Sequence, residues 1–175
     1  MKGGYALVFG LLIEKSLSIG KRYFVLKPGT YVYSGSALNG VEQRVKRHVR
    51  IYNTSHEVLM KRNKVNSFHW HIDHLLPYAV NLSVILAESD TRTECALVQN
   101  LKKEGMVIVN GFGSTDCAMC CGGHLLVTSI NDMDSTLRNV WKIFKDLGIK
   151  NVKIQRSDDF ELVASNPLKK SAMPI

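Results

Sequence analysis

The stretch GTYVYSGSALNGVEQRVKRHVR, residues 29–50, joins a predicted strand to a predicted helix. Side chains alternate between the two faces of a strand, so Tyr31 and Tyr33 lie on the same face before the strand breaks at Gly35. Apolar residues then recur at every fourth position, which predicts a helix with one apolar stripe. The residues of that stripe are Val41, Val45 and Val49. Residues 29–50 are therefore predicted to form a strand that carries two tyrosines, followed by an amphipathic helix.

The basic residues of this helix fall into two groups. At about 100° per residue, Arg44 and His48 border the valine stripe and would be held against the tyrosine-bearing sheet. A guanidinium held there could contact one phosphate, with phenol and imidazole groups beside it as proton carriers. Arg47 and Arg50 fall on the solvent side, where we expect them to contact phosphates. The alternative is that a tyrosine packs in the sheet while an arginine covers its edge.

The net charge is concentrated in the first third of the chain. Residues 1–64 hold 12 Lys and Arg against three Glu, a net +9, whereas the whole chain carries +8. This asymmetry favours a polyanion, nucleic acid before a membrane, and a solubilising surface is the alternative. DNA is expected ahead of RNA, and the oligomeric state is left open. A further basic run, Lys61, Arg62 and Lys64, is expected to contact the nucleic acid.

The length and composition of the chain indicate how many cores it forms and in which compartment it is expected. A chain of 175 residues with 45% hydrophobic content can bury one good core. We find no apolar run long enough to cross a bilayer and no signal-peptide cleavage site near the amino terminus. The expectation is a cytoplasmic protein without a membrane partner.

Strands and helices alternate along the sequence. The three early strands are joined by short turns, which predicts an antiparallel meander. Strands are predicted at 4–13, 21–26, 30–35, 82–89, 106–113 and 124–130, helices at 40–52, 91–105 and about 132–147, a short helix or turn at 67–78, and a candidate strand pair at 151–156 and 159–164.

Glu94 can be interpreted in two ways. Thr91-x-x-Glu94 fits a capping box, which would give the glutamate a structural role. Glu94 also shares a helix face with apolar residues, and a carboxylate there must be paired, neutralised or bound to a cation. Those apolar residues are Leu97, Val98 and Leu101. The expected partner is Arg44 or a divalent ion such as Mg²⁺, which one carboxylate, waters and a phosphate can hold.

Two clusters contain side chains that bind metals. DCAMCCGGH places four metal-binding side chains within eight positions, with spacing that Zn²⁺ accepts; the alternative is reduced, packed cysteines. These four are Cys117, Cys120, Cys121 and His124, whereas Cys95 stands apart. In HWHIDHLL, His71 and His74 would share a helix face with room for a metal or a phosphate. Trp70 beside them could stack on a base or anchor the core.

Several of these motifs occur together, in order, in a known family. GGYALVFGL, GTYVYSGSA, the Arg44-x-x-x-His48 helix and ECALVQN resemble the GIY-YIG nuclease domain. With HWHIDHLL and GFGSTDC they are most similar to its Uri-type branch of small stand-alone proteins. The resemblance implies an α+β fold, in which helices flank a small central antiparallel sheet of three strands or slightly more. Residues 1–130 would form this domain, and 131–175 would add a helix and the candidate strand pair packed on it.

The resemblance also implies a site. Its catalytic residues would be Tyr5, Tyr33, Arg44 and His48, and its metal ligand Glu94. Gln99 would replace Glu94 in another register of the helix, and Asn110 is a candidate for the family's closing asparagine.

The expected activity is that of a divalent-metal-dependent endonuclease. Water attacks a phosphodiester in line, and a tyrosine or His48 accepts its proton. Arg44 stabilises the phosphorane, and Mg²⁺ or Mn²⁺ on Glu94 neutralises the leaving oxygen, which yields a 5′-phosphate and a 3′-hydroxyl. One alternative is a catalytically silent nucleic-acid-binding module, and another is a zinc-containing interaction protein.

Overall fold

The computed structural model describes residues 1–54, 58, 68–114, 117, 121–128 and 132–157. Within these residues, four strands come first, and helices and strands follow in mixed order. The strands are β1 (Gly3–Leu11), β2 (Lys15–Ile19), β3 (Arg22–Leu26), β4 (Gly29–Ala37), β5 (Val80–Glu88), β6 (Val107–Ile108), β7 (Leu125–Thr128) and β8 (Val152–Arg156). The helices are α1 (Val41–Asn53), α2 (His71–Leu75), which a 3₁₀ turn (Leu76–Tyr78) extends, α3 (Glu94–Lys103) and α4 (Met133–Asp146).

The main sheet has six strands in the order β6-β7-β4-β1-β5-β8, and each neighbouring pair is antiparallel. The predicted α+β class with a central antiparallel sheet and flanking helices is therefore confirmed. Strand β1 lies between β4 and β5, and its register places Tyr5 opposite Gly35. The first strand and the tyrosine-bearing strand are thus direct neighbours.

The predicted meander of three early strands is wrong. Strand β3 pairs with β2, a strand that the sequence analysis did not identify, in a separate two-stranded sheet. In β3, Phe24 and Leu26 are buried whereas Tyr23 and Val25 are exposed. Both faces of β3 carry apolar residues, so its sequence pattern does not show that only one face is covered. The hairpin packs over one face of the main sheet, where the Phe24 ring contacts Phe112.

Each face of the sheet has its own core. Tyr5, Leu7 and Phe9 of β1 point to the face that α1 and α2 cover, and the valine stripe of α1 is buried there as predicted. Ala6 and Val8 point to the opposite face, which α3 and α4 cover. Alternation along β1 thus supplies both cores.

The carboxyl-terminal elements extend this fold. Helix α4 matches the helix predicted at about 132–147, and β8, which pairs with β5, matches the strand predicted at 151–156. The strand predicted at 159–164 lies outside the described residues, and the division of the chain at residue 130 stays a prediction. No helix in the described ranges is long and apolar enough to cross a membrane.

Candidate functional site

A polar cavity of about 460 Å³ opens where β1 begins and β4 ends. The side chains that border it include Tyr5, Tyr33, Arg44, Trp70, Glu94 and His124. The structure therefore brings together both predicted tyrosines, the predicted arginine and the predicted carboxylate. Their catalytic roles stay predictions.

Tyr5 is held between a glycine and a histidine. Its side chain is buried, and its hydroxyl lies 3.0 Å from Nε2 of His48 on α1. On the other side, a Cβ atom at Gly35 would lie 2.4 Å from Cζ of Tyr5. The glycine that ends the tyrosine motif is needed because the Tyr5 ring packs directly against the backbone there.

Asp73, which is not among the residues predicted from the sequence, completes these polar contacts. Its Oδ1 lies 3.0 Å from Nδ1 of His48, and both side chains are 0% exposed. Its Oδ2 accepts hydrogen bonds from the backbone amides of His69 and Trp70, at 2.9 and 3.1 Å. The only signal in the sequence was an aspartate in the first turn of a short helix, a position where a carboxylate caps backbone amides.

The environment sets the protonation state of these three groups. Burial lowers the pKa of His48, and the Asp73 carboxylate offsets part of that shift. Burial alone would raise the pKa of Asp73, but hydrogen bonds from His48 and from the two backbone amides lower it. A neutral His48 therefore donates through Nδ1 to an ionised Asp73, and Nε2 accepts from the Tyr5 hydroxyl. Burial, together with neighbouring Tyr33, raises the pKa of Tyr5 and keeps its phenol protonated.

Arg44 and Glu94 contact the same residue of β4. Arg44 donates to the backbone carbonyl of Ser36 at 2.6 Å, and its guanidinium carbon lies 4.7 Å from the centre of the Trp70 ring. The Glu94 carboxylate accepts from the Ser36 hydroxyl. The ion pair expected between Arg44 and Glu94 is not among the salt bridges of the described residues. Ser36 thus separates the positive and negative groups of the cavity.

The capping-box interpretation of Glu94 is wrong. Helix α3 begins at Glu94, so its N-cap residue is Thr93 and not Thr91. Helix and sheet approach closely here, since a Cβ at Gly4 would lie 1.9 Å from Oγ1 of Thr93. Glu94 borders the cavity, whereas Gln99 and Asn110 are exposed and are not among the residues that border it.

Arg47 differs from its predicted placement on the solvent side. Only 23% of its side chain is exposed, and Nη2 lies 3.0 Å from Oδ2 of Asp73. Its guanidinium carbon is 4.7 Å from the centre of the Trp70 ring. A long side chain can reach back across a helix surface to a buried carboxylate, which a helical wheel does not show. The nucleic-acid role of Arg47 stays a prediction.

The remaining predicted cations have separate outcomes. Arg50 is exposed on α1, as the helical wheel indicated. Lys61, Arg62 and Lys64 lie outside the described residues. Arg92, which the sequence analysis did not single out, is exposed at the edge of the cavity. Arg92 adds a second cation to the residues that border the cavity.

A cluster of three cysteines and a histidine lies beside the cavity. Cys95 Sγ is 3.2 Å from Cys117 Sγ, 3.4 Å from Cys121 Sγ and 3.8 Å from His124 Nε2. The Cys117 and Cys121 sulfurs are 3.2 Å apart, and all four ligand atoms lie within 4.8 Å of one another. This Cys₃His cluster could bind a metal such as zinc. Cys120, which the sequence analysis included, lies outside the described residues.

Residues 4–149 match the family described as Domain of unknown function DUF123. The chain belongs to this family. No curated protein and no solved structure matches the chain. Within this DUF123 chain, the matched region contains both the residues around the cavity and the Cys₃His cluster.

Cys95 is the cluster member that the sequence analysis left out of the DUF123 chain's candidate zinc site. It is 22 positions from Cys117, and the first turn of α3 brings it to the cysteine loop. Burial would raise the pKa of Cys117, but hydrogen bonds from Cys121, Cys95 and His124 bring it to about 6. Burial raises the pKa of Cys95 and of Cys121. The other members of the cluster thus stabilise one thiolate.

The histidine pair of HWHIDHLL makes aromatic contacts. His71 lies edge-on to Phe24 and Phe112, and His74 lies edge-on to Phe68. In the described part of this DUF123 chain, the only group of three or more metal-ligating side chains is the Cys₃His cluster. The structure therefore does not support a metal site at His71 and His74.

Proposed function

We propose that this DUF123 chain is a nuclease of the GIY-YIG type that hydrolyses phosphodiester bonds in nucleic acid, DNA in preference to RNA. The observation that carries the proposal is the hydrogen-bonded chain from Asp73 through His48 to Tyr5. These hydrogen bonds end at Tyr5, which borders the same cavity as Arg44 and Glu94. A proton acceptor, a cation and a carboxylate around one cavity are the groups that phosphodiester hydrolysis needs.

Tyr5 accepts the proton of the attacking water. Because burial raises its pKa, the phenol does not ionise alone and must pass its own proton on as it accepts another. His48 Nε2, at 3.0 Å, accepts that proton, and the Asp73 carboxylate stabilises the imidazolium that forms. The water oxygen bonds to phosphorus while the bond to the 3′ oxygen breaks. The 3′ oxygen takes a proton from solvent, leaving a 3′-hydroxyl and a 5′-phosphate, and the imidazolium returns its proton to solvent.

Arg44 stabilises the charge that develops on the phosphorane. The Ser36 carbonyl and the Trp70 ring hold its guanidinium in one position at the cavity edge. A guanidinium has five N–H donors, so the bond to Ser36 leaves donors for phosphate oxygens. A preorganised donor of this kind lowers the barrier because it does not reorient during the reaction.

The residues around the cavity fit a divalent ion held by a single carboxylate. Glu94 borders the cavity, and the Ser36 hydroxyl fixes its carboxylate by a hydrogen bond. Mg²⁺ commonly takes one protein carboxylate together with waters and phosphate oxygens, and Mn²⁺ accepts similar ligands. When bound at Glu94, the ion would supply Lewis-acid stabilisation of the leaving oxygen.

Exposed cations on α1 and at the cavity edge would hold the nucleic acid. Lys46 and Arg50 are exposed on α1, and Arg92 lies at the cavity edge. Lys46 and Arg50 belong to residues 1–64, which carry a net charge of +9. Such contacts give affinity that falls with salt and does not depend on sequence.

Nicking of a supercoiled plasmid tests the proposal. Wild type should nick the plasmid with Mg²⁺ or Mn²⁺ and should stop when a chelator is added. Tyr5→Phe and Glu94→Gln should each lower the rate on the order of 10²-fold or more. The matched control is Tyr31→Phe, because Tyr31 is a buried tyrosine of β4 whose hydroxyl donates to the Lys27 carbonyl. Binding without nicking by the wild type would contradict a nuclease and favour the catalytically silent binding module.

A further inference from the structure

We propose that Cys95, Cys117, Cys121 and His124 bind one structural Zn²⁺. Three sulfurs and one imidazole nitrogen form a compact group with edges of 3.2–3.8 Å among the contacts measured. In a tetrahedral site with Zn–S bonds of about 2.3 Å, sulfurs lie about 3.8 Å apart. The three sulfurs therefore need to move outward by only about a few tenths of an ångström to surround the ion, and His124 Nε2 already lies 3.8 Å from Cys95 Sγ.

The fold fixes the ligands from two directions. Cys95 lies in the first turn of α3, and His124 immediately precedes β7. The backbone of His124 is held on both sides, because its amide donates to the Phe112 carbonyl at 2.7 Å and its carbonyl accepts from the Ser34 amide at 2.9 Å. The ion would therefore join helix α3 to the loop between β6 and β7.

The donor set favours zinc over a disulfide. Within the described cluster, a disulfide would join two of the three thiols and leave the third, together with His124, unused. Zn²⁺ uses all three sulfurs and the imidazole of His124, and Cys₃His is an established donor set for structural zinc. Four protein ligands leave no open position, so the ion would have a structural role and would not activate water.

The proposed ion would also stabilise one wall of the cavity. Cys95 directly follows Glu94, and His124 itself borders the cavity. Zinc would therefore hold the first turn of α3 and the cysteine loop in place beside the reacting groups. The zinc site does not depend on the proposed nuclease activity, since its ligands differ from the residues proposed for catalysis.

Metal analysis of the full chain, purified without chelator, tests the site. Wild type should contain about one zinc per chain, and Cys95→Ser should lose most of it. The matched control is Cys120→Ser, which should keep about one zinc because the four proposed donors complete the shell. Loss of zinc from Cys120→Ser with retention in Cys95→Ser would overturn the ligand set, and wild type without zinc would overturn the site.

Cobalt substitution keeps the test decisive if Cys95→Ser does not fold. Co²⁺ added to zinc-free wild type should produce strong thiolate charge-transfer absorption and the visible bands of a tetrahedral ion. Zn²⁺ added afterwards should abolish both features. Spectra typical of octahedral Co²⁺, without thiolate charge transfer, would overturn the proposal. These readouts do not involve cleavage, so a protein that binds zinc but does not cut would refute the nuclease alone.

Discussion

Asp73 holds both His48 and Arg47 with one buried carboxylate, at 3.0 Å from His48 Nδ1 through Oδ1 and at 3.0 Å from Arg47 Nη2 through Oδ2. Two backbone amides of the α2 turn complete its hydrogen bonds. A buried carboxylate is tolerated when it is paired and fully hydrogen-bonded. The α2 turn therefore fixes the tautomer of His48 and the direction of Arg47, although neither residue belongs to it.

Asp73→Asn should slow cleavage and change its pH dependence. The amide oxygen can still accept from His48 Nδ1, but it cannot stabilise the imidazolium, so the rate should fall on the order of 10²-fold. The Asp73 carboxylate raises the pKa of His48. Its removal should therefore move the acidic limb of the rate profile to lower pH. Nicking rates across pH 5–8 give both quantities.

The matched control for this experiment is Asp90→Asn. Asp90 is 92% exposed and lies 3.9 Å from Lys2, away from His48. Its replacement should leave the rate and the profile unchanged. A fall in rate for Asp73→Asn with an unmoved acidic limb would mean that Asp73 only supports the fold.

Gly35→Ala should displace the Tyr5 ring and lower the nicking rate. The added Cβ would lie 2.4 Å from Tyr5 Cζ and 2.5 Å from its hydroxyl oxygen, inside a packed core. The ring must shift, which should break the contact with His48 and destabilise the protein by about 1–3 kcal/mol. Combined with Tyr5→Phe, Gly35→Ala should lower the nicking rate no further than Tyr5→Phe alone, because both act through the same hydroxyl.

Gly10→Ala serves as the comparison for stability. Its Cβ would meet the Val80 side chain at 3.0 Å, far from the cavity residues along the same strand as Tyr5. It should lower the melting temperature without a selective loss of nicking. If Gly10→Ala and Gly35→Ala lose equal amounts of stability and equal amounts of nicking, the effect of Gly35→Ala comes from lost stability and not from a displaced Tyr5 hydroxyl.

Tyr33, Arg44 and Glu94 could be placed from the sequence by short-range patterns, whereas Tyr5 came from the resemblance to the GIY-YIG nuclease domain. Strand alternation sets the face of Tyr33, and helix periodicity places the arginine and the glutamate beside apolar stripes. The paired strands β1 and β4 then bring the two tyrosines together. A local pattern was enough for these residues because the sheet and the helices that carry them border one cavity.

Asp73 and Cys95 could not be predicted in this way, because their partners are distant in sequence. Asp73 is 25 positions from His48, and Cys95 is 29 positions from His124. Periodicity describes one element and does not show which elements meet. For the same reason Arg47 was placed in solvent, since a helical wheel does not include the carboxylate that α2 supplies.

His48 should make the protein less stable as the pH falls below about 6.5. Because burial lowers its folded-state pKa, the unfolded chain binds a proton that the folded chain does not. The contribution of His48 to the free energy of unfolding is therefore fully present above pH 6.5. It decreases as the pH falls toward the folded-state pKa of His48, by up to about 1.4 kcal/mol per pH unit. His71 and His74, whose pKa values are also lowered, act in the same direction.

His48→Gln isolates this contribution, since the other two histidines remain in both proteins. Melting temperatures at pH 7.5, 6.5 and 5.5 should fall more steeply for wild type than for the variant. Curves that run parallel across this range would show that His48 does not titrate differently in the folded and unfolded states. In the wild type, the lowered pKa of Asp73 places its own loss of stability below this window. In the variant, the amides of His69 and Trp70 and the Arg47 guanidinium still contact the Asp73 carboxylate.

Arg44 should contribute to cutting, whereas Lys46 and Arg50 should contribute to holding the nucleic acid. Lys46 and Arg50 are exposed, so replacing both with alanine should weaken binding to all sequences and lower the salt slope by about two. Arg44 is fixed against Ser36 and Trp70 at the cavity, so Arg44→Ala should lower the cleavage rate on the order of 10²-fold with a small change in affinity. Binding across a salt series and single-turnover nicking separate the two effects. If Arg44→Ala instead weakens binding as the double variant does and leaves single-turnover cleavage intact, Arg44 is one more phosphate contact and the proposed stabilisation of the phosphorane is wrong.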